Sequence, residues 1–148
     1  MALRRLQHLL IQTEDIAGTV AWWRAALGME TGPHPDFGFP VEWLYIGDTD
    51  VIHLTQGGAG ASAERAAYLP PASDATRGSG AIDHIAFDAT DARGTLDRLA
   101  GLGIAATTRR ANKDAPLQAF LFDPNGIKVE LNFPPEECAG IEAEMTAR

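Results

Sequence analysis

An internal repeat constrains the fold of this chain more than any other feature of its sequence. Residues 6–29 align with residues 82–104 when a gap of one residue is allowed inside a predicted helix. The repeat resumes further along, where residues 51–55 align with residues 128–132. Self-similarity of this kind is typical of one supersecondary unit that is used more than once. We therefore predict two copies of one module.

Four side chains that can bind a metal ion occupy equivalent positions in the two copies. His8 aligns with His84, and His53 aligns with Glu130. The spacing is 45 residues from His8 to His53 and 46 residues from His84 to Glu130. Two such pairs at nearly equal spacing are hard to produce by chance, so the four residues together form one candidate site.

Each copy carries the pattern of a strand, a helix and three further strands. Asp15 and Asp91 are favoured N-cap residues at the predicted helix starts, and each helix ends at a glycine. Residues 123–126, Asp-Pro-Asn-Gly, are a turn signal between two apolar runs. The later strands are predicted at 29–37, 40–47, 50–56, 104–110, 116–123 and 126–133.

The alternation of side chains along the strands places the candidate ligands on one face. Successive side chains of a strand point to opposite faces of the sheet. In all four strands concerned, apolar residues flank the candidate ligand, which is expected at mid-strand on the face away from the helices. A sheet that curves around this face would gather the four side chains in one cup. Neutral imidazoles and a carboxylate bind Fe²⁺, Mn²⁺, Ni²⁺, Co²⁺ or Zn²⁺. We predict one divalent metal ion with the ligands His8, His53, His84 and Glu130.

The domain organisation follows from the repeat. Residues 1–57 and 81–133 are predicted as the two modules, with a connector at 58–80 and a C-terminal tail at 134–148. The connector is rich in Gly, Ala, Ser and Pro, which is typical of a linker. A loop of this length in a compact domain is often functional. Two interpretations of the connector therefore stay open, a plain linker and a lid over the site.

Charge and composition exclude some partners. The formal net charge of −8 argues against nucleic acid or an anionic membrane, because both attract basic surfaces. The first residues lack the apolar core of a signal peptide, and no apolar run approaches the roughly 18 residues that a membrane span needs. A cytoplasmic location is expected. The single cysteine, Cys138, is expected to be a free thiol.

Three motifs carry a resemblance to a known superfamily. They are His8 with Leu27-Gly28-Met29, Ile82-Asp83-His84-Ile85-Ala86-Phe87, and Phe122-Asp123-Pro124-Asn125-Gly126 running into Glu130-Leu131. From Leu6 to Phe133 the chain resembles the vicinal oxygen chelate superfamily, which includes glyoxalase I, extradiol dioxygenases, methylmalonyl-CoA epimerase, and the fosfomycin and bleomycin resistance proteins. The resemblance implies an α+β fold whose two βαβββ modules form an open, curved mixed β-barrel around a metal site.

The resemblance also implies roles for the four ligands. Members of the superfamily use the ion as a Lewis acid that chelates two adjacent substrate oxygens. His8, His84 and Glu130 match the most widely shared ligand positions. His53 matches a position that varies, since it is Glu in glyoxalase I and Gln in the epimerase. His53 is therefore expected either as a fourth ligand or as a general acid/base, and His53 and Glu130 are the expected catalytic residues.

The favoured activity is that of a glyoxalase-like lyase or isomerase, which moves a proton beside a carbonyl of a small, oxygen-chelating substrate. The segment from His8 to Met29 matches the glyoxalase I pattern, except that Trp22-Trp23 replaces the usual Phe-Tyr. The arginines with which that family holds glutathione cannot be matched. Four basic residues stay candidates for anion contacts: Arg24, Arg109, Arg110 and Lys113.

Two alternative functions stay open. An Fe²⁺ extradiol ring-cleaving dioxygenase would use His53 as its acid/base. Against it, Phe120 stands where that family has a Tyr, and residues 108–119 contain no His. A non-catalytic small-molecule binding or resistance protein is the other alternative, and the full ligand set argues against it.

The resemblance also implies which segments line the pocket. Loops and strands 29–47 and 104–120 line it in members of this fold, and here their side chains suit a small aromatic or acyl compound with an anionic group. The candidate lining residues are Phe37, Phe39, Trp43, Tyr45, Lys113 and Gln118. His34 is expected in a loop. A homodimer is the expected assembly, and the metal ligands can come from one chain or from two.

Overall fold

The computed structural model describes residues 4–69, 75–112 and 114–145. The chain divides into two compact units, of which the first ends at Arg77 and the second begins at Gly78. Each unit contains a mixed β-sheet and α-helix, so the predicted α+β class is confirmed.

In its described part, the first unit contains four strands and two α-helices. They are β1 (Leu9–Thr13), α1 (Ile16–Leu27), β2 (Glu30–Thr31), β3 (Val41–Ile46), β4 (Thr49–Gln56) and α2 (Ala63–Tyr68). The sheet has the order β1-β4-β3-β2, in which β1 and β4 are parallel and the other pairs are antiparallel. The helix α2 belongs to the connector.

The second unit repeats this order and adds one strand. Its elements are β5 (Ile85–Asp88), α3 (Ala92–Gly101), β6 (Thr107–Arg110), β7 (Leu117–Phe122), β8 (Lys128–Phe133) and β9 (Glu144–Met145). The sheet has the order β5-β8-β7-β6-β9, with β5 parallel to β8 and β9 parallel to β6. The strand β9 was not predicted and lies in the segment 134–148 that was predicted as a C-terminal tail. Cys138, in that tail, is a free and buried thiol.

The repeat extends to the register of the strands. Leu9 pairs with Ile52 across β1 and β4, and Ile85 pairs with Val129 across β5 and β8. In the sequence alignment of the two copies, Leu9 matches Ile85 and Ile52 matches Val129, so the two pairings are equivalent. The prediction of two βαβββ modules is therefore confirmed.

Local sequence explains where the helices begin and end. Asp15 accepts a hydrogen bond from the backbone N–H of Gly18 at 2.8 Å, and Asp91 accepts one from Gly94 at 3.1 Å. These are the predicted N-caps, which satisfy N–H groups without a partner inside the helix. Gly28 ends α1 with a φ of 69°, a left-handed conformation that glycine adopts without strain.

Two predictions about the strands were wrong in detail. The strand predicted at 29–37 is only Glu30–Thr31, because Pro33 and Pro35 lack the N–H that a sheet interior needs. His8 and His84 do not lie at mid-strand, since each directly precedes the first residue of its strand.

The core of each unit contains equivalent residues of the repeat. Trp23 of α1 and Leu99 of α3 are 0% and 1% exposed, and they align with one another in the sequence. The helix α1 packs on β3 and β4. Among the described residues, no helix has the length and apolar character to cross a membrane.

Candidate metal centre

In the first unit, His8 and His53 lie side by side on one face of the sheet. His53 pairs with Leu10 across β4 and β1, and His8 lies two positions before Leu10. Because side chains alternate along a strand, this offset of two places both histidines on the same face. Their rings stack, with centroids 3.8 Å apart and planes 15° apart.

Trp43 extends this stack on the other side of His53. It pairs with His53 across β3 and β4, and the two rings lie 3.9 Å apart with nearly parallel planes. Held between Trp43 and His8, the His53 side chain is 11% exposed. Burial lowers the pKa of His53, which favours the neutral imidazole, the form that binds metal ions.

Asp50 is a candidate site residue that the sequence analysis missed. Its Oδ2 lies 2.7 Å from Nε2 of His53, and this hydrogen bond holds the pKa of Asp50 below its usual value. Alternation would place residues three apart on opposite faces. However, β4 has a bulge: Leu44 pairs with Ile52 and the next residue of β3 pairs with Asp50, so one residue of β4 is skipped. The skipped residue brings Asp50 to the face of His53.

The donor atoms of this cluster fit a metal ion. Ligand atoms of His8, Asp50 and His53 all lie within 4.8 Å of one another. Nδ1 of His8 is buried and has no hydrogen-bond partner among the described residues. A buried polar atom without a partner is costly, and a bound ion or ligand would relieve that cost.

In the second unit, His84 and Glu130 form the equivalent pair. Glu130 pairs with Ala86 across β8 and β5, and His84 lies two positions before Ala86, the same offset as in the first unit. Nε2 of His84 lies 2.7 Å from Oε2 of Glu130. Glu130 is only 5% exposed. A buried carboxylate needs a charged or hydrogen-bonding partner, and here it has one.

Other side chains hold this second pair in place. Gln118 donates a hydrogen bond to Oε1 of Glu130 at 2.7 Å. Asp83 lies 2.8 Å from Nδ1 of His84, so that Nε2 is left to face Glu130. Lys128 contacts the same carboxylate of Asp83 at 2.5 Å. A carboxylate bonded to the outer nitrogen of a ligand histidine fixes its tautomer and ring orientation.

The four predicted ligands are thus brought together as two pairs, one inside each unit. Two atoms that bind one ion at about 2.1 Å and at right angles lie roughly 3 Å apart. The separation of 2.7 Å between His84 and Glu130 is close to that value.

The structure gives local roles to several other candidates. His34 is exposed and its Nδ1 contacts the carbonyl of Pro35. Arg24 forms a surface ion pair with Glu30, and Arg110 donates to the carbonyl oxygen of Ala115. Among the expected lining residues, Tyr45 donates instead to the carbonyl of Pro33, and Lys113 lies outside the described residues.

Solved structures of similar fold exist, although their sequences have diverged from this one. Lactoylglutathione lyase from Agrobacterium tumefaciens is 17% identical, with a TM-score of 0.60, over 92% of this chain and 98% of its own. The fosfomycin resistance protein FosX from Listeria monocytogenes is 16% identical, with a TM-score of 0.63, over 89% and 94%. The antibiotic-binding protein TnmS3 from Streptomyces sp. CB03234 is 17% identical, with a TM-score of 0.61, over 90% and 98%.

Identities this low show a shared fold and no more. No curated protein sequence matches the chain. A family model supplies the stronger comparison, because it matches residues 5–131, which include all four predicted ligands. The chain therefore belongs to the Glyoxalase/Bleomycin resistance protein/Dioxygenase superfamily.

Proposed function

We propose that this protein is a divalent-metal-dependent enzyme of the lyase/isomerase type, acting on a small substrate with two adjacent oxygens. The observation that carries the proposal is the equal placement of the two ligand pairs. Each pair consists of a histidine just before a strand and a side chain at the same diagonal position on the neighbouring parallel strand. Donor atoms at equivalent positions of both copies support a metal-binding role for these positions.

The proposed ligands are His8, His53, His84 and Glu130. When bound, the ion would act as a Lewis acid toward the substrate oxygens. Residues of the chain orient the proposed ligands. Gln118 orients Glu130, and Asp50 orients His53, through the hydrogen bonds that they make. The rings of His8 and Trp43 cover both faces of His53, which reduces its contact with solvent and strengthens electrostatic interactions there.

His53 is assigned as the fourth ligand because its ring is fixed. It is stacked on both sides and hydrogen-bonded to Asp50, so it has little freedom to move between substrate positions. One observation favours a second function. A carboxylate bonded to a histidine is also the arrangement that supports a general base, as an extradiol dioxygenase would require of His53.

Metal titration tests the proposed site. Protein stripped with a chelator should bind one ion of Zn²⁺ or Mn²⁺ per chain in calorimetry. His84→Ala should abolish stoichiometric binding at micromolar protein, whereas His34→Ala, a matched control at an exposed histidine, should not. Equal binding by the two variants would overturn the site.

His53→Ala distinguishes the two functions. If His53 is a ligand, the variant should lose metal affinity. If His53 is an acid/base, metal should stay bound while turnover falls by roughly 10²–10⁴-fold. Turnover is measured as proton exchange in D₂O at the carbon beside the carbonyl of 2-hydroxyacetophenone. Retained metal in the variant, together with Fe²⁺-dependent oxygen uptake on a catechol by the wild type, would establish the dioxygenase instead.

We also propose a homodimer, since edge strands of an open sheet need cover. A monomer by light scattering at micromolar concentration would contradict it. Refolding His8→Ala chains together with Glu130→Ala chains shows which chains supply the ligands. Recovered metal binding in the mixture means that two chains share a site, and no recovery means that one chain supplies all ligands.

A further inference from the structure

The first unit contains a cavity of about 330 Å³ on the face of the sheet that carries His8 and His53. Its floor is formed by side chains of β3 and β4, including Trp43 and Thr55, and its rim by the segment before β3 and by the end of α2. The cavity lies entirely within this unit.

Four aromatic side chains line the cavity: Phe37, Phe39, Trp43 and Tyr68. The ring of Phe37 lies 5.8 Å from Phe39, 6.3 Å from Trp43 and 5.2 Å from Tyr68. None of these four rings is fully buried, and Tyr68 is 60% exposed. Aromatic rings that stay partly exposed around a cavity favour a ligand that offers a flat apolar surface, since ring pairs attract one another at 4.5–7 Å or so.

The position of Tyr68 is set by the connector. Ser62 caps α2 through the backbone N–H of Arg65. The guanidinium of Arg65 is buried and hydrogen-bonded to Gln12 of β1. This contact fastens α2 to the sheet, and Tyr68 at the end of α2 therefore lies against Phe37.

One polar group on the floor has no partner. Thr55 is 1% exposed, and its hydroxyl forms no hydrogen bond within the part of the chain that the structure describes. It lies two residues beyond His53 on β4, and so on the same face, about 6.7 Å further along the strand. An oxygen at the far end of a single aromatic ring would reach it when the near end lies beside His53.

We propose that this cavity binds a compact aromatic molecule, with a pair of oxygens toward His8 and His53 and a further oxygen toward the Thr55 hydroxyl. A cavity of roughly 150 Å³ accommodates benzene, so this one has room for one substituted ring or two small ones. The orientation of the oxygen pair rests on the proposed metal site. The preference for an aromatic ring rests on the cavity alone.

Two α-hydroxy acids test the ring preference. Mandelate and hexahydromandelate share the same chelating group and differ in having a phenyl or a cyclohexyl ring. Calorimetry on the Zn²⁺-loaded protein should show at least about fivefold tighter binding of mandelate, as contact with two or more aromatic rings predicts. Phe37→Leu and Tyr68→Leu should each reduce the preference about two- to tenfold. Phe122→Leu, at an exposed aromatic residue of the second unit, is the control.

A third acid tests the role of Thr55. 4-Hydroxymandelate carries an oxygen at the opposite end of its ring and should bind about fivefold tighter than mandelate, because it pairs a buried hydroxyl. In Thr55→Val the two acids should bind equally. An unchanged preference in Thr55→Val would overturn the assignment of this hydroxyl.

The outcomes separate this inference from the proposed function. Protein that binds Zn²⁺ but binds both mandelate and hexahydromandelate with equal affinity would overturn the aromatic preference and leave the metal site standing. Protein that binds no metal but still prefers mandelate would overturn the metal site and leave the cavity assignment standing. Because Tyr68 is largely exposed, its variant keeps the test usable even if Phe37→Leu fails to fold.

Discussion

In the first unit, His53 lies among rings, stacked between His8 and Trp43 beside an aromatic cavity. In the second unit, Glu130 occupies the equivalent position and pairs with Phe120 across β7 and β8, but its carboxylate is held by polar groups, 2.7 Å from His84 and hydrogen-bonded to Gln118. The strands of the two units pair in the same register. The repeat therefore sets where a side chain leaves the backbone, and the neighbouring strands set the chemistry around it.

The two units therefore offer different chemistry. The second unit contains a buried carboxylate, Glu130, and the first unit contains two stacked imidazoles beside an apolar cavity. A carboxylate close to the aromatic cavity is present too, but Asp50 is engaged by His53. The following predictions test how far the two units differ, from the largest expected effect to the smallest.

Removal of Glu130 should have the largest effect on metal binding. Loss of a residue that only orients a ligand typically reduces metal affinity 10- to 100-fold. Because Glu130→Ala removes a proposed ligand that carries charge, it should reduce metal affinity by more than about 100-fold. The measurement is competition with a chelator of known affinity. Glu30→Ala, at an exposed glutamate of the first unit, serves as the control. A loss below tenfold for Glu130→Ala would mean that the second unit does not supply the charge.

The equivalent core residues Trp23 and Leu99 should differ in their effect on stability. Trp23→Ala removes the larger side chain and should reduce the free energy of unfolding by about 3–5 kcal/mol, against about 2–5 kcal/mol for Leu99→Ala. Each is measured by urea denaturation followed by circular dichroism. A larger cost for Leu99→Ala would indicate that the first unit rearranges to fill the space that Trp23 leaves.

Much of this comparison could be predicted from the sequence. The repeat, the helix caps and the shared face within each pair of candidate ligands follow from residue spacing and from the alternation of strands. Asp50 could not be predicted in this way, because the bulge in β4 reverses the alternation between Asp50 and His53. Bulges depend on the pairing of two strands, and a single strand gives little sign of them.

The polar partners of Glu130 in the second unit also could not be predicted from the sequence. Gln118 was expected only as part of a pocket lining, and its bond to Glu130 depends on the pairing of β7 with β8, in which Gln118 faces Asn132. The strand β9 was missed because its backbone pairs with β6, which lies more than thirty residues earlier in the sequence. Contacts between distant segments follow from the tertiary fold and not from local propensity.

The two aspartates that contact ligand histidines should have unequal effects. Asp50 is part-buried and Asp83 is 72% exposed, so solvent screens the second contact more strongly. Asp50→Ala should reduce metal affinity about 10- to 100-fold, and Asp83→Ala by less than about fivefold. Asp50→Asn keeps an oxygen acceptor and should recover most of the affinity if Asp50 orients His53. If Asp50→Asn behaves like Asp50→Ala, the negative charge matters and Asp50 is a ligand rather than an orienting residue.

The smallest expected difference concerns the N-caps Asp15 and Asp91, which are equivalent in the repeat but differ in backbone conformation. Asp15 has a φ of −134°, whereas Asp91 has a φ of 56°, in the left-handed region. Loss of a capping side chain costs about 1 kcal/mol, and alanine also lacks the short polar side chain with which aspartate tolerates the left-handed region. Asp91→Ala should therefore destabilise the protein more than Asp15→Ala in thermal unfolding.

Glycine adopts the left-handed region without strain, so Asp91→Gly should be the milder change at that position. If alanine and glycine prove equal at position 91, the helix start has relaxed to the conformation seen at Asp15, and the difference between the two caps has no energetic consequence.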